Sequence, residues 1–424
     1  MATSMWKTSV LLGQKLPRFL RLSAICRLSS SADTALETSQ VEYPPIGPTG
    51  NELSYITRME SIKNAATVPD MIYLLNKKQC WNYQLKPQCF HPNFLPIYKH
   101  ATKTHIVEGL PNYVANFVNS DSVGQVAANV KDSVQNFALG EMMYDYRHRT
   151  CNKDIFNQPL NKSKGFVDNM INHFLLTEIG QSPHVVSGEF DHDVEVNSFW
   201  DREDTRYQYT GTPLFLLRTR EPLQEFTSKD SELSVGDVES YPYKPQWYSI
   251  FKQHHNSKCF PGLKYGNPIN YGHTQVHVYQ SDKEKMLDAG GQPYIDEHVL
   301  GQGLMTSFGW MTGMSMYNKH YWDDDLTRPM TCNTIVTDGQ NFSFFCYQLN
   351  TIALHSRVSE TNQLRNVCWY TKDAQLYEKL TEDGEVVNFN VDVLKTVIGM
   401  LMMPPGMNML EAEEKPAQNE LEES

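Results

Sequence analysis

One apolar segment, NTIVTDGQNFSFFCYQLNTIAL around Asp338-Gly339, constrains the fold more than any other part of the sequence. Two runs rich in β-branched and aromatic residues flank a dipeptide that accepts positive φ twice, which predicts a β-hairpin. In the second run, Phe342 and Phe344 point to one side, whereas Phe345 and Tyr347 point to the other. A strand that is apolar on both sides is buried on both sides. The hairpin is therefore predicted to be covered on both faces.

Helical and strand-like patterns occur in separate blocks along the rest of the chain. Apolar residues recur at helical spacing over residues 123–148, 165–178 and 297–318, and a last helix is expected over about 391–403. From about residue 185 the apolar runs become short and strand-like. Because there is no βαβ alternation, the sequence predicts an α+β fold. Its N-terminal half should be helical, and its C-terminal half should hold a mixed or antiparallel sheet with packed helices.

The first thirty residues, MATSMWKTSVLLGQKLPRFLRLSAICRLSS, differ from the rest of the chain. They are rich in serine and arginine and contain no acid, which is typical of a mitochondrial presequence. A secretory signal is the rival interpretation, but its apolar core should be unbroken, and Lys15, Arg18 and Arg21 interrupt this one. Residues 1–30 are therefore predicted to direct the chain to the mitochondrial matrix and to be removed there.

The remaining organisation follows from composition. Residues 31–50 form a Pro-rich lead-in, residues 51–410 carry the folded region, and residues 411–424 form an acidic tail that should not fold. The formal net charge of −12 excludes a simple polycation that coats nucleic acid. No apolar run approaches the roughly 20 residues that span a membrane. The cysteines are scattered without any Cys-x-x-Cys pair, which favours free thiols over a disulfide framework.

Acidic residues are absent from two long stretches. Residues 71–107, the first acid-free window, and residues 240–281, the second acid-free window, contain no Asp or Glu. Residues 185–240, by contrast, hold thirteen acids against five basic residues. Lysines and aromatic residues, among them Trp81 and Trp247, interleave in both windows. Charge is thus segregated along a chain that is acidic as a whole.

This segregation indicates a surface that faces RNA. Spaced lysines neutralise phosphates, and interleaved aromatic and histidine side chains stack on unpaired bases. The candidate contacts in the two windows are Lys77, Lys78, Lys86, Lys99, Lys103, Lys244, Lys252, Lys258 and Lys264. The alternative that stays open is that the aromatic residues belong to the core and the lysines to an ordinary solvated surface.

The histidines and the cysteine in HHNSKCFPGLKYGNPINYGHTQVH raise the possibility of a metal site. The alternation of HTQVHVY predicts a strand with His273 and His277 on one face, about 13 Å apart, too far for both to bind one zinc ion. His254, His255 and Cys259 lack further ligands at metal-binding spacing. No metal or other cofactor is therefore predicted.

Other catalytic signatures are weak. Asp323, Asp324 and Asp325 form an acidic cluster that is more typical of a solvated helix end than of a magnesium or calcium site. The sequence contains no Walker loop, Gly-x-Ser-x-Gly elbow or His-Glu-x-x-His motif. A matrix enzyme or metal-binding protein that uses the region of His254 and Cys259, or the aspartate cluster, remains the second hypothesis.

Three motifs carry a resemblance to a known family. YGHTQVH, RPMTCNTIVTDGQNFSFFCYQLNTIAL and RNVCWYTKDAQLYE resemble the animal mitochondrial ribosomal protein family called small-subunit protein thirty or programmed cell death protein nine. The family region is residues 51–410. Within it the resemblance is strongest over about 240–400, weaker over about 50–180 and poor around 185–240. It implies a structural protein of the mitochondrial large ribosomal subunit, with no catalytic residues and no small-molecule substrate. The partners that it implies are mitochondrial rRNA and neighbouring ribosomal proteins, including a related large-subunit protein.

The chain departs from the family pattern in one place. Members of the family carry a dense arginine run after the first long helix, whereas this chain has only YRHRTCNK, with Arg147 and Arg149. If that run contacts RNA, the resemblance implies that Arg147 and Arg149 do so here, through fewer charges.

Overall fold

The structure is a computed structural model. It describes residues 50–77, 79–87, 91–148, 159–177, 182–239, 244–264, 266–279, 283–321, 325–359, 361–381 and 383–406. The predicted presequence, nearly all of the lead-in and the acidic tail lie outside these residues. The described residues from 54 onwards belong to one compact unit.

Helices and strands both occur throughout the described residues. The helices are α1 (Gly50–Lys63), α2 (Val68–Asn76), α3 (Leu95–Thr102), α4 (Asn112–Val118), α5 (Asp121–His148), α6 (Pro159–Leu176), α7 (Pro183–Val186), α8 (Lys283–Tyr317), α9 (Ser356–Ser359) and α10 (Val391–Met402). The strands are β1 (Gln79–Leu85), β2 (Thr104–Glu108), β3 (Glu189–His192), β4 (Val196–Arg202), β5 (Thr205–Gly211), β6 (Phe215–Thr219), β7 (Lys252–Asn256), β8 (Tyr271–Val278), β9 (Met330–Thr337), β10 (Asn341–Leu349), β11 (Asn366–Tyr370), β12 (Ala374–Gln375), β13 (Lys379–Leu380) and β14 (Val386–Val387).

Most strands belong to a mixed central sheet in the order β2-β11-β10-β9-β8-β6-β3, with β12 beside β10. The β2–β11 and β8–β9 pairs are parallel and the other pairs of this sheet are antiparallel. A second sheet has the order β4-β5-β1-β7. The predicted α+β class with a mixed sheet is confirmed. The N-terminal half is less uniformly helical than its pattern indicates, because β1 and β2 lie within it.

The predicted hairpin is formed by β9 and β10, and it is buried on both faces. Phe342 and Phe344 pack in one hydrophobic core, and Phe345 and Tyr347 pack in another on the opposite face. The connection is three residues long, and only Gly339, with φ of 92°, has positive φ. The Asp338 carboxylate accepts hydrogen bonds from the backbone N–H groups that follow and fixes the turn.

Helices α4, α5, α6 and α10 cover one face of the central sheet. The predicted apolar stripe of α5 is buried there through Val123, Val126, Val130 and Val134. Helix α10 ends at Met402, just before Pro404, because proline lacks the N–H that would continue the helix. Helices α5, α6 and α10 confirm the helices predicted over 123–148, 165–178 and about 391–403, with boundaries that differ by a few residues.

Helix α8 covers the other face and lies between the two sheets. It contacts β9 and β10 of the central sheet and β4 and β5 of the second sheet. Close approach requires glycine, because a Cβ on Gly303 would lie 2.3 Å from the Phe345 ring. The helix starts well before the predicted residue 297, since two helical segments join at a kink at Gly291. Helix α8 is thus shared by the two sheets.

Candidate nucleic-acid interface

The two acid-free windows meet as neighbouring strands. β1 comes from the first window and β7 from the second, and they pair antiparallel at the end of the second sheet. Trp81 lies opposite His254, and Tyr83 lies opposite Lys252. Sequence composition alone gave no indication of this pairing, because the two strands are far apart along the chain. The pairing of β1 with β7 therefore places the two acid-free windows side by side in the structure.

A row of aromatic side chains crosses this sheet from the core to its edge. Trp200 and Tyr207 are buried and stack, and Tyr207 in turn contacts Tyr83, which is also buried. Trp81 shares the face of Tyr83, because it lies two residues away on β1. It is 63% exposed, and its ring centroid lies 5.2 Å from that of His254. The row therefore ends in an aromatic pair at the surface.

Cationic side chains accompany these aromatic residues. The Nζ of Lys252 lies 5.1 Å from the centroid of the Tyr83 ring, and the Nζ of Lys77 lies 5.7 Å from that of the Tyr73 ring. Such contacts hold an ammonium group over an aromatic face. Of the predicted contacts, those that the structure leaves exposed are Lys77, Lys86, Lys244, Lys252, Lys258 and Lys264. Lys99, on α3, is half-buried.

Lys103 is a correction to the predicted contacts. Its side chain is 2% exposed, and its Nζ donates to the Asn362 carbonyl oxygen over 2.6 Å. Burial, reinforced by the Arg202 guanidinium, lowers the pKa of the ammonium group. This lysine ends α3 with a left-handed backbone (φ 48°, ψ 49°) and is not available to a phosphate. Local composition carries no signal of that burial.

Three other predicted contacts lie where the structure gives no side-chain description. Lys78 and Arg149 are outside the described residues, and the side chain of Arg147 is outside them too. These residues stay predictions. Part of the second window also proves to be core, because β8 lies inside the central sheet with nearly every residue buried. The alternative interpretation, in which the window belongs to the core, therefore holds for β8. Lys103 fits neither interpretation, because it is a buried lysine and not a solvated one.

The histidines of β8 take part in internal hydrogen bonds. His273 is the extra residue of a β-bulge, at which the register of β6 and β8 shifts. Its Nε2 donates to the Met403 carbonyl oxygen over 2.7 Å, whereas His277 donates to the Gln275 side chain. Burial lowers the pKa of each imidazole to about 3. The prediction that His273 and His277 share a face is wrong, since regular alternation breaks at the bulge.

The other candidate metal ligands are either far from one another or already hydrogen-bonded within the protein. Cys259 is buried, which raises the pKa of its thiol to about 12, and the His254 side chain is exposed against Trp81. The Asp325 carboxylate accepts hydrogen bonds from the Thr351 hydroxyl and the Ile352 N–H. Asp323 and Asp324 lie outside the described residues. Among the residues that are described, no group of three or more His, Cys, Asp or Glu side chains is placed to hold a metal ion.

A cavity of about 720 Å³ opens where the kink of α8 faces β12 and the loop that leads to α10. Its lining is mainly carboxamides, with the carboxylates of Asp373 and Glu378. Asp373 accepts a hydrogen bond from Ser343, and Glu378 accepts one from Asn388. Among the described residues that line it there is no histidine, cysteine or lysine, and both of its carboxylates accept hydrogen bonds from neighbouring side chains.

The chain matches one known protein family over most of its length. The profile of the family described as "Mitochondrial 28S ribosomal protein S30 (PDCD9)" matches residues 14–207 and 201–405. The chain belongs to this family.

Similar proteins carry a large-subunit name. The chain is 27% identical to the chicken (Gallus gallus) "Large ribosomal subunit protein mL37" over 188 residues, which are 42% of this chain and 40% of that protein. It is 24% identical to the rat (Rattus norvegicus) protein of the same name over 285 residues, which are 65% of this chain and 62% of that protein. The chain thus spans less than two thirds of the length of these relatives. None of the described helices of this PDCD9-family chain is long and apolar enough to cross a membrane.

Proposed function

We propose that this chain is a structural constituent of the mitochondrial large ribosomal subunit, where it contacts rRNA and neighbouring ribosomal proteins and so supports mitochondrial translation. Membership of a mitochondrial ribosomal protein family supports the proposal. The family description carries a small-subunit name, but the chicken and rat relatives carry a large-subunit name, which favours the large subunit. The site of action is then the mitochondrial matrix. The partner proteins include a related large-subunit protein.

One observation carries the RNA part of the proposal. The two windows that lack acids pair as β1 and β7, so lysines and exposed aromatic side chains share one sheet edge. Five of the exposed lysines, at positions 77, 86, 244, 252 and 258, lie on or next to these strands or the turn before β7. The rest of the chain is acidic, and acidic surfaces repel phosphate. This edge is therefore the part of the described surface that is best suited to rRNA.

We also propose that the chain is not an enzyme and takes neither a small-molecule substrate nor a cofactor. The candidate ligands and nucleophiles support this, because Cys259, His273 and His277 are buried and hydrogen-bonded inside the fold. Metal analysis of the purified full chain tests the proposal. We expect zinc well below one atom per chain, unchanged in the His254→Ala and Cys259→Ser variants. Stoichiometric zinc that either variant abolishes would favour a metal-binding protein instead.

Sedimentation tests the ribosomal role. The tagged endogenous protein in a mitochondrial lysate should comigrate with the large subunit on a density gradient. Replacing Lys244, Lys252, Lys258 and Lys264 together with glutamine should weaken this association most at low salt, and the difference from wild type should shrink as salt rises. Each lost phosphate contact lowers the slope of log affinity against log salt by about 0.7 to 0.9. A matched variant carries Lys319→Gln and Lys379→Gln, which change exposed lysines outside the windows. Comigration with the small subunit, or with neither, would contradict the proposal.

A further inference from the structure

The exposed aromatic pair of Trp81 and His254, at the edge of the second sheet, has the character of a binding surface. Trp81 is 63% exposed, although tryptophan is the largest side chain and contributes much when buried. Lys252 on the outer strand has a plain explanation, because lysine on an edge strand hinders pairing with other chains. That explanation does not extend to a tryptophan beside it, since an exposed aromatic residue makes an edge more adhesive.

The backbone holds this pair in place. Trp81 and His254 are opposite each other in the β1–β7 register, and their rings are tilted by 50° at 5.2 Å. Two residues along β1, Tyr83 is buried, which anchors the strand in the core. The Trp81 ring therefore lies on a strand that is anchored in the core, and most of the ring is open to solvent.

Charge and further aromatic surface flank the pair. Lys252 lies opposite Tyr83, two residues along β7 from His254, so the Cα atoms of Lys252 and His254 are about 7 Å apart. A short 3₁₀ turn (Pro245–Tyr248) lies beside β1, because the Gln246 side chain donates a hydrogen bond to the Tyr83 hydroxyl over 2.7 Å. This turn carries Trp247, which is 67% exposed. Aromatic faces thus alternate with a cation along one edge, and neither window supplies an acid.

We propose that Trp81 and His254 form a stacking platform for an unpaired base of RNA, with Lys252 contacting the adjoining phosphate. This inference rests on the proposed function, and it adds that the edge takes single-stranded rather than double-stranded RNA. Bases within a duplex are stacked on each other and present only their edges, whereas an unpaired base offers a whole ring face. Stacking on an aromatic side chain is tolerant of base identity, so the platform recognises an unpaired base more than a sequence.

Binding of short RNA to the purified full chain tests the inference. The probes are a fluorescent oligouridylate and an RNA duplex of the same length. We expect Trp81→Leu to weaken oligouridylate binding about 5- to 150-fold, the range for loss of one stacked base, and to change duplex binding less than about twofold. Trp81→Phe should restore most of the affinity. Lys252→Gln should flatten the salt dependence by about 0.7, whereas Trp81→Leu should leave it unchanged.

Leu176→Ala and Lys379→Gln serve as controls, because both side chains are exposed and lie outside the windows. The inference is overturned if wild type does not bind oligouridylate, if Trp81→Leu binds it as wild type does, or if both probes lose affinity equally. It is also overturned if Trp81→Leu removes only an association that survives ribonuclease, because the edge then binds protein. In each case, comigration of wild type with the large subunit would leave the proposed function standing. Failure to comigrate would count against the proposed function whatever Trp81 does.

Discussion

His273 stacks on His184 with 5.2 Å between their ring centroids, and both imidazoles donate to carbonyl oxygens at the end of α10. His273 donates to Met403 over 2.7 Å, and His184 donates to Leu401 over 3.0 Å. The pair thereby fastens the C-terminal helix to the central sheet. Burial lowers the pKa of both groups, and the neighbouring His184 lowers that of His273 further, so the fold favours the neutral form of both rings.

The first prediction is that acid destabilises the fold through the buried histidines. His273 and His277 have folded pKa values of about 3, below the unfolded value of about 6.5, so the unfolded chain binds more protons between those limits. Stability should therefore fall as pH drops below about 6.5, by about 1 kcal/mol for each of the two between pH 7 and 5.5. Urea unfolding at several pH values measures this. His277→Gln should remove about 1 kcal/mol of the loss, and an unchanged slope would contradict the assignment.

The second prediction concerns burial of the hairpin. Phe344 is 2% exposed and packs on the face of the central sheet that helices α4, α5, α6 and α10 cover. Phe344→Ala should lower the free energy of unfolding by about 3–5 kcal/mol, through lost burial and the cavity that remains. Denaturant unfolding of the full chain measures the change, with Leu176→Ala as an exposed control. A loss below about 1 kcal/mol would show that this face of β10 is open.

The third prediction compares two helical glycines. A Cβ on Gly303 would lie 2.3 Å from the Phe345 ring, whereas nothing lies within 4 Å of a Cβ on Gly140. Gly303→Ala should therefore destabilise by about 1–3 kcal/mol, because it forces α8 away from β10. Gly140→Ala should stabilise by up to about 1 kcal/mol through helix propensity. Thermal unfolding distinguishes them, and equal effects at both positions would refute the close approach.

The fourth prediction concerns a buried charge. Arg218 is 1% exposed, and its guanidinium donates to Glu189 and Asp191 and to the Ile269 carbonyl oxygen. Arg218→Met keeps the volume but leaves those acceptors without the cation. We expect a loss of about 2–3 kcal/mol, less than the about 3–5 kcal/mol for a fully buried pair, because Glu189 is partly exposed. Arg220→Met, an exposed neighbour, should change stability by less than about 0.5 kcal/mol. Similar losses of stability for Arg218→Met and Arg220→Met would show that the hydrogen bonds of Arg218 contribute nothing.

Local patterns in the sequence predict the parts of the fold that depend on near neighbours. The stripe of α5 and the two-sided apolar run of β10 specify both their structure and their burial. Pairings between distant segments have no such signal, so the meeting of Trp81 with His254 could not be read from the sequence. The same limit applies to Lys103, whose burial depends on the carbonyl oxygen of Asn362. At His273 one inserted residue defeats the two-residue period on which strand predictions rest.

The central sheet also sets the order in which the chain folds. Its first strand in sequence, β2, lies at one end of the sheet, and among the described strands it pairs with β11 alone, parallel to it. Strand β2 therefore remains without this partner until residues 366–370 are available to it. Joining two segments so far apart in sequence is slow, and it leaves β2 open to wrong partners meanwhile. A newly made chain thus has a long interval in which a chaperone is useful, and nearly full length is required before the sheet is complete.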